Sequence, residues 1–125
     1  MPSLLNSRIE SFRHAFRGLA ALITSQPNAR IHAAATVAVC ALGLALGIGA
    51  SDWLWLVVAI ALVWVAEALN TALEYLADAG VPGRHPLVGK AKDVAAAGVL
   101  IAAVAAVVIG AVVLAPPLLA RFAAR

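Results

Sequence analysis

The sequence predicts an all-α integral membrane protein: an N-terminal amphipathic surface helix followed by three transmembrane helices. Three observations predict it. Hydrophobic residues make up 64% of the 125-residue chain, where an ordinary soluble domain holds about half. The mean hydropathy is +0.99, and only 12% of residues are charged. Three apolar runs are each long enough to cross a bilayer, which takes about 20 helical residues. A chain of this length reads as one domain, residues 1–125.

Residues 3–24 form the surface helix. Leu5, Ile9, Phe12, Phe16, Leu19 and Ile23 recur at spacings of four and three, which is one helical face. Arg8, Glu10, Arg13, His14 and Arg17 occupy much of the remainder. Arginines opposite Phe, Leu and Ile suit a helix lying in the headgroup plane. The same charges interrupt any apolar stretch of the kind a signal peptide needs, so the chain is expected to insert by its own spans.

Pro27 breaks this helix, and the first span follows over residues 31–50. Gly49-Ala50-Ser51-Asp52 reads as a very short turn. The second span covers 53–77 and begins at Trp53, whose indole suits the interfacial belt. Gly80–Gly89 is a Gly/Pro loop. The third span covers 94–115 and is expected to end at Pro116-Pro117. Gly43 and Gly47 form a GxxxG pair, and Gly98, Ala102, Ala106 and Gly110 a small-residue stripe. Both patterns permit close helix approach.

Charge sets the orientation. Arg8, Arg13, Arg17, Arg30, Arg84, Lys90 and Lys92 fall on one side of the spans, and Arg121 and Arg125 on the other. The richer side is expected to be cytoplasmic, which puts the N-terminus inside. The net charge of +3 contains no basic block suited to nucleic acid. Cys40 stands alone, so no disulfide forms within the chain.

The informative violation is polar. Glu67, Asn70, Thr71, Glu74 and Asp78 fall within one stripe of the second span, at about 100° per residue, while Leu69, Ala72, Leu73 and Leu76 fill the opposite side. A carboxylate in hydrocarbon costs several kcal/mol, so an intramembrane acid marks a functional site by default. Glu67 lies roughly 20 Å along the helix from Trp53, near the far edge of the hydrocarbon. One acid of the stripe can accept a proton from a hydroxyl, and another can bind a divalent cation carrying phosphate oxygens. Lys90, Lys92 and Asp93, at the start of the third span, offer a phosphate site. Cation, positive groups and base are the parts that phosphoryl transfer needs.

Two other readings are open at this level. The acids could pair with Lys or Arg and lock a helical bundle. A small transport or channel subunit could use Glu67 to bind protons or cations. Such a path would have to cross the outer half of the second span, Trp53–Val65, which is apolar. The soluble-kinase signatures are absent: Gly89-Lys90 is followed by Ala91, and there is no HRD or DFG set.

EALNTALEYLAD at 67–78 followed by HPLVGKAKDVAAAGVL at 85–100, with NARIH at 28–32 and FRHAFRGL at 12–19, resembles the small prokaryotic diacylglycerol kinase family, which includes undecaprenol kinases. The resemblance covers nearly the whole chain, and ExxNxxxE followed by KAKD at this distance is a specific signature. It implies a homotrimeric membrane enzyme of the bacterial inner membrane that transfers the γ-phosphoryl of MgATP to a lipid alcohol. Glu67 would be the general base, and Asn70 would orient groups in the site. Glu74 would hold Mg²⁺. Lys92 and Asp93 would contact the nucleotide, with Gly83, Arg84 and His85 near it and His14 at a further nucleotide position.

Two positions depart from the family pattern. Gln26 stands where a second metal-holding Glu is common, and Ser7 stands where some members place an Arg. His32 in NARIH resembles the undecaprenol kinases more than the diacylglycerol kinases.

Overall fold

A computed structural model describes residues 4–124 as four helices. They are α1 (Leu4–Ser25), α2 (Pro27–Leu46), α3 (Ala50–Gly80) and α4 (Pro86–Ala123). Residues 1–3, Arg125 and the side chains of Leu4 and Leu5 lie outside what is described, among them the predicted start of the surface helix at Ser3. The last three helices are each long and apolar enough to cross a membrane.

Each junction has a local cause. Pro27 starts α2 rather than only ending α1. Its missing N–H costs nothing in the first turn of a helix, and Gln26 before it is extended (φ −106°, ψ 117°). Arg30 closes the end of α1 from the other side, donating from Nε to the carbonyl of Ile23 at 3.1 Å and from Nη2 to that of Thr24. The α2–α3 turn falls earlier than the sequence suggests. Gly47 adopts the left-handed conformation (φ 64°), and the N–H groups of Gly47 and Ile48 donate to the carbonyls of Leu44 and Gly43. That glycine cap stops α2 at Leu46, and Ala50, Ser51 and Asp52 join the first turn of α3.

The loop before α4 shortens as well. α3 continues to Gly80, and α4 begins at Pro86, inside the Gly80–Gly89 segment that the sequence reads as loop. His85 caps α4, its Nδ1 accepting from the N–H of Leu87 at 3.2 Å. Gly89, Lys90, Lys92 and Asp93 are therefore helical, above the first turn.

Pro116-Pro117 does not end α4, which runs through both to Ala123. Two backbone hydrogen bonds are lost there. The helix is held on both sides of the pair. Val113 and Leu114 are buried before it, and after it Arg121 donates from Nη1 to the carbonyl of Ala45 at 2.6 Å. Arg121 thereby also satisfies a terminal carbonyl of α2.

The main packing runs along α3 and α4. Near the α2–α3 turn, Leu56, Val113 and Leu114 form an apolar core with Trp53, Leu46 and Ile48 around them. Gly43 belongs to this core. A Cβ there would meet Trp53 Cη2 at 3.0 Å and Ile48 Cδ1 at 3.1 Å. The GxxxG pair is thus used within the chain: Gly43 admits the Trp53 ring, and Gly47 makes the turn. Gly43→Val is expected to cost about 1–3 kcal/mol, because the ring must move aside. Thermal unfolding in detergent checks this, with Gly18→Ala, where a Cβ meets nothing within 4 Å, as a control that keeps or slightly raises stability.

One face of α3 is buried along most of its length: Leu56, Ala59 and Val63, then Glu67, Asn70 and Thr71. The spacing of three and four is unbroken, but the chemistry changes from apolar to polar at Glu67. On α1, Phe12 and Phe16 are exposed (68% and 69%), and Leu22 turns inward. A hydrogen bond of 2.6 Å between Ser25 Oγ and Tyr75 Oη ties the end of α1 to α3.

Candidate functional site

The polar end of the α3 face opens into a recess of ≈ 270 Å³ between α2, α3 and α4, which holds Glu67, Asn70, His32 and Asn28. Glu67 is 2% exposed. Among the described residues, its ionisable neighbour is His32 of α2, with Nε2 at 3.8 Å from Oε2. Asn70 donates from Nδ2 to Glu74 Oε1 at 3.2 Å, one turn along α3. That bond leaves Asn70 Oδ1 buried without a partner. An unpaired buried acceptor is costly, and it marks a place where a bound group would be stabilised.

A second, apolar groove of ≈ 440 Å³ shares His32 and Ala103 with the recess and continues between α2, α3 and α4 past Val63 and Ala59 to Leu56 and Leu114. A polar pocket thus meets an apolar channel at His32.

The structure divides the predicted stripe. Glu67 and Asn70 face the recess. Thr71 turns instead to a cleft of ≈ 420 Å³ between α1 and α3, beside Leu22, Trp64 and Tyr75. Its Oγ1 is buried and unpaired there. Glu74 is half-buried beside Asn70. Gln26 directly follows Ser25, whose partner Tyr75 directly follows Glu74. The Gln26 side chain makes no capping bond.

The positive residues stand apart from the acids. Lys92 pairs with Asp78, not with Glu67 or Glu74. Such an exposed pair is worth only about 0–1 kcal/mol, so a stronger anion displaces it readily. Gly83, Arg84, His85, Lys90 and Asp93 are exposed around the start of α4. Gly83 has φ 88°, a conformation that glycine reaches at no steric cost. His14 is exposed on α1, within 3.3 Å of Arg17 Nη2.

No group of three or more His, Cys, Asp or Glu side chains converges among the described residues. Mg²⁺ does not require one, since it is commonly held by one or two carboxylates together with phosphate oxygens and water. The half-buried Glu74 carboxylate beside Asn70 fits that donor chemistry.

Sequence reasoning missed His32 as the partner of Glu67. The signal was available. Both residues lie at similar distances along the chain from the Gly47–Gly49 turn, so an antiparallel hairpin puts them at one depth. The register is fixed one turn further on, where Trp64 Nε1 donates to Thr36 Oγ1 at 3.1 Å.

Fold and recess together define a small helical membrane protein with a buried acidic site at one end of its spans. Residues 13–114 match the prokaryotic diacylglycerol kinase family. The chain is 42% identical to a diacylglycerol kinase of Synechocystis sp. over 110 residues, 87% of this chain and 63% of the relative. It is 35% identical to an undecaprenol kinase of Bacillus subtilis over 114 residues, 91% of this chain and 93% of the relative. The chain therefore spans less than two thirds of the Synechocystis protein and nearly all of the Bacillus one. It belongs to the prokaryotic diacylglycerol kinase family.

Proposed function

We propose that this chain is a lipid kinase: it transfers the γ-phosphoryl of ATP to the hydroxyl of a membrane lipid alcohol at the cytoplasmic interface. The observation that carries the reading is the buried Glu67, in a recess that meets the apolar groove at its neighbour His32. A lipid tail lies along the groove, and its hydroxyl is presented to the carboxylate. Glu67 takes the hydroxyl proton as the oxygen attacks the γ-phosphorus, and the bond to the ADP oxygen breaks. Asn70 holds Glu74 with its amide N–H and offers Oδ1 to the site. Glu74, with Gln26, holds Mg²⁺, which when bound offsets the phosphate charge. Lys92 and Asp93 bind the nucleotide, with Gly83, Arg84 and His85 of the α3–α4 loop and His14 of α1 around it. Lys92 exchanges Asp78 for phosphate when nucleotide arrives.

α1 lies along the cytoplasmic interface with Phe12 and Phe16 in the lipid. The chain works as a homotrimer in the bacterial inner membrane, its N-terminus cytoplasmic. Undecaprenol is favoured over diacylglycerol as the acceptor, in line with the relative matched along nearly its whole length. A transport role is disfavoured because the buried face of α3 is apolar from Leu56 to Val63.

The deciding experiment offers diacylglycerol and undecaprenol side by side to the purified protein with radiolabelled ATP. Labelled lipid is expected. Label in neither lipid overturns the reading. Gln26→Glu is expected to lower the Mg²⁺ concentration for half-maximal activity by about 10-fold, since a carboxylate binds this hard cation better than an amide. A Mg²⁺ titration of the variant against the wild type checks this.

A further inference from the structure

We propose that His32 is a positioning residue for Glu67, holding one carboxylate oxygen so that the other faces the lipid hydroxyl; this rests on the lipid-kinase reading above. Glu67 is a nearly fully buried acid in the membrane-spanning part of the fold, and such a group needs a donor to hold it in one orientation. Among the described residues, His32 is the charged or titratable side chain that reaches it, Nε2 to Oε2 at 3.8 Å. That separation is longer than a hydrogen bond and is an ion-pair distance.

The contact is built in from both helices. Thr36 donates from Oγ1 to the His32 carbonyl at 2.7 Å, and Trp64 donates to the same Thr36 oxygen. Trp64 lies three residues before Glu67, and Thr36 four after His32. The Trp64–Thr36 hydrogen bond therefore sets the register of α2 against α3 one turn from the His32–Glu67 contact. His32 itself is only 18% exposed, in both the recess and the apolar groove. Its Nε2 lies nearest Oε2, and Oε1 is the oxygen left to act as the base.

The test compares His32→Gln and His32→Leu in the full-length protein, reading kcat and the KM for ATP and for lipid. The two replacements are close in size, but only glutamine can donate to Glu67. His32→Leu is expected to lower kcat by about 10- to 100-fold, the usual effect of removing a group that orients a functional ligand. His32→Gln is expected to stay within about 5-fold of wild type, with the KM for ATP unchanged in both. In a Glu67→Gln background His32→Leu should cost little further, since residues acting as a unit are not additive.

Wild-type turnover in His32→Leu overturns the proposal. So does an equal loss in the Gln and Leu variants, or a full additional loss in the double variant. If His32→Leu does not fold, His32→Gln decides alone: near-wild-type turnover sustains the role, and a loss beyond 10-fold overturns it. A wild-type protein that labels no lipid alcohol overturns the lipid-kinase reading instead, so the two failures are distinct.

Discussion

Glu67→Gln is expected to lower the rate of lipid phosphorylation by roughly 10²- to 10⁴-fold, the range that a positioned general base contributes. The amide has nearly the shape of the carboxylate and cannot take the proton. Folding should survive and even gain slightly, because the variant removes a charge from a site that is 2% exposed. The measurement is single-turnover transfer from labelled ATP, alongside detergent gel filtration and thermal unfolding of the same preparation. A variant that keeps wild-type turnover would remove Glu67 from the role of base. A variant that loses its fold would instead make the acid a structural element of the bundle.

Glu74→Ala is the second large effect. Glu74 is half-buried and accepts from Asn70. The substitution removes the proposed carboxylate anchor for Mg²⁺ and strands the Asn70 amide N–H beside its already unpaired Oδ1. The Mg²⁺ concentration for half-maximal activity is expected to rise on the order of 10- to 100-fold, with a further loss at saturating metal. A Mg²⁺ titration at fixed ATP reads it directly. Unchanged metal dependence would place the cation elsewhere. Glu74→Gln keeps the acceptor for Asn70, so comparing the two variants separates the metal effect from the hydrogen bond.

Together these variants test a division of labour on one helix. Glu67 is deep and lines the recess that adjoins the groove, whereas Glu74 is one turn past Asn70, nearer the loop and the basic start of α4. A base must meet a hydroxyl attached to a lipid, and a cation site must meet a nucleotide arriving from water. The gradient of burial along α3 suits that order.

Much of the fold was legible in the residues. Three spans followed from apolar run length, because backbone polar groups in lipid must be satisfied within a helix. The helix ends were less legible, each for a local reason. The left-handed Gly47 ended α2 early, and Pro86 with its His85 cap started α4 before the charged segment. The Pro116-Pro117 pair read as a stop because proline lacks an N–H, yet buried neighbours and the Arg121 bond to Ala45 carry the helix onward.

The site divides in the same way. That Glu67, Asn70 and Glu74 share a face was determined by their spacing alone, since about 3.6 residues per turn sets the angle of each residue on its own helix. The same arithmetic placed Thr71 with them, but α1 packs against α3 and draws Thr71 to its own side. Which residues of another helix meet that face was decided only by the tertiary structure. The pairing of His32 with Glu67, of Lys92 with Asp78 and of Gly43 with Trp53 depends on the turn at Gly47 and on how deeply each helix slides along its neighbour. Periodicity fixes direction about one axis. It carries no information on the register between axes, which is set by packing and by a few hydrogen bonds such as that of Trp64 to Thr36.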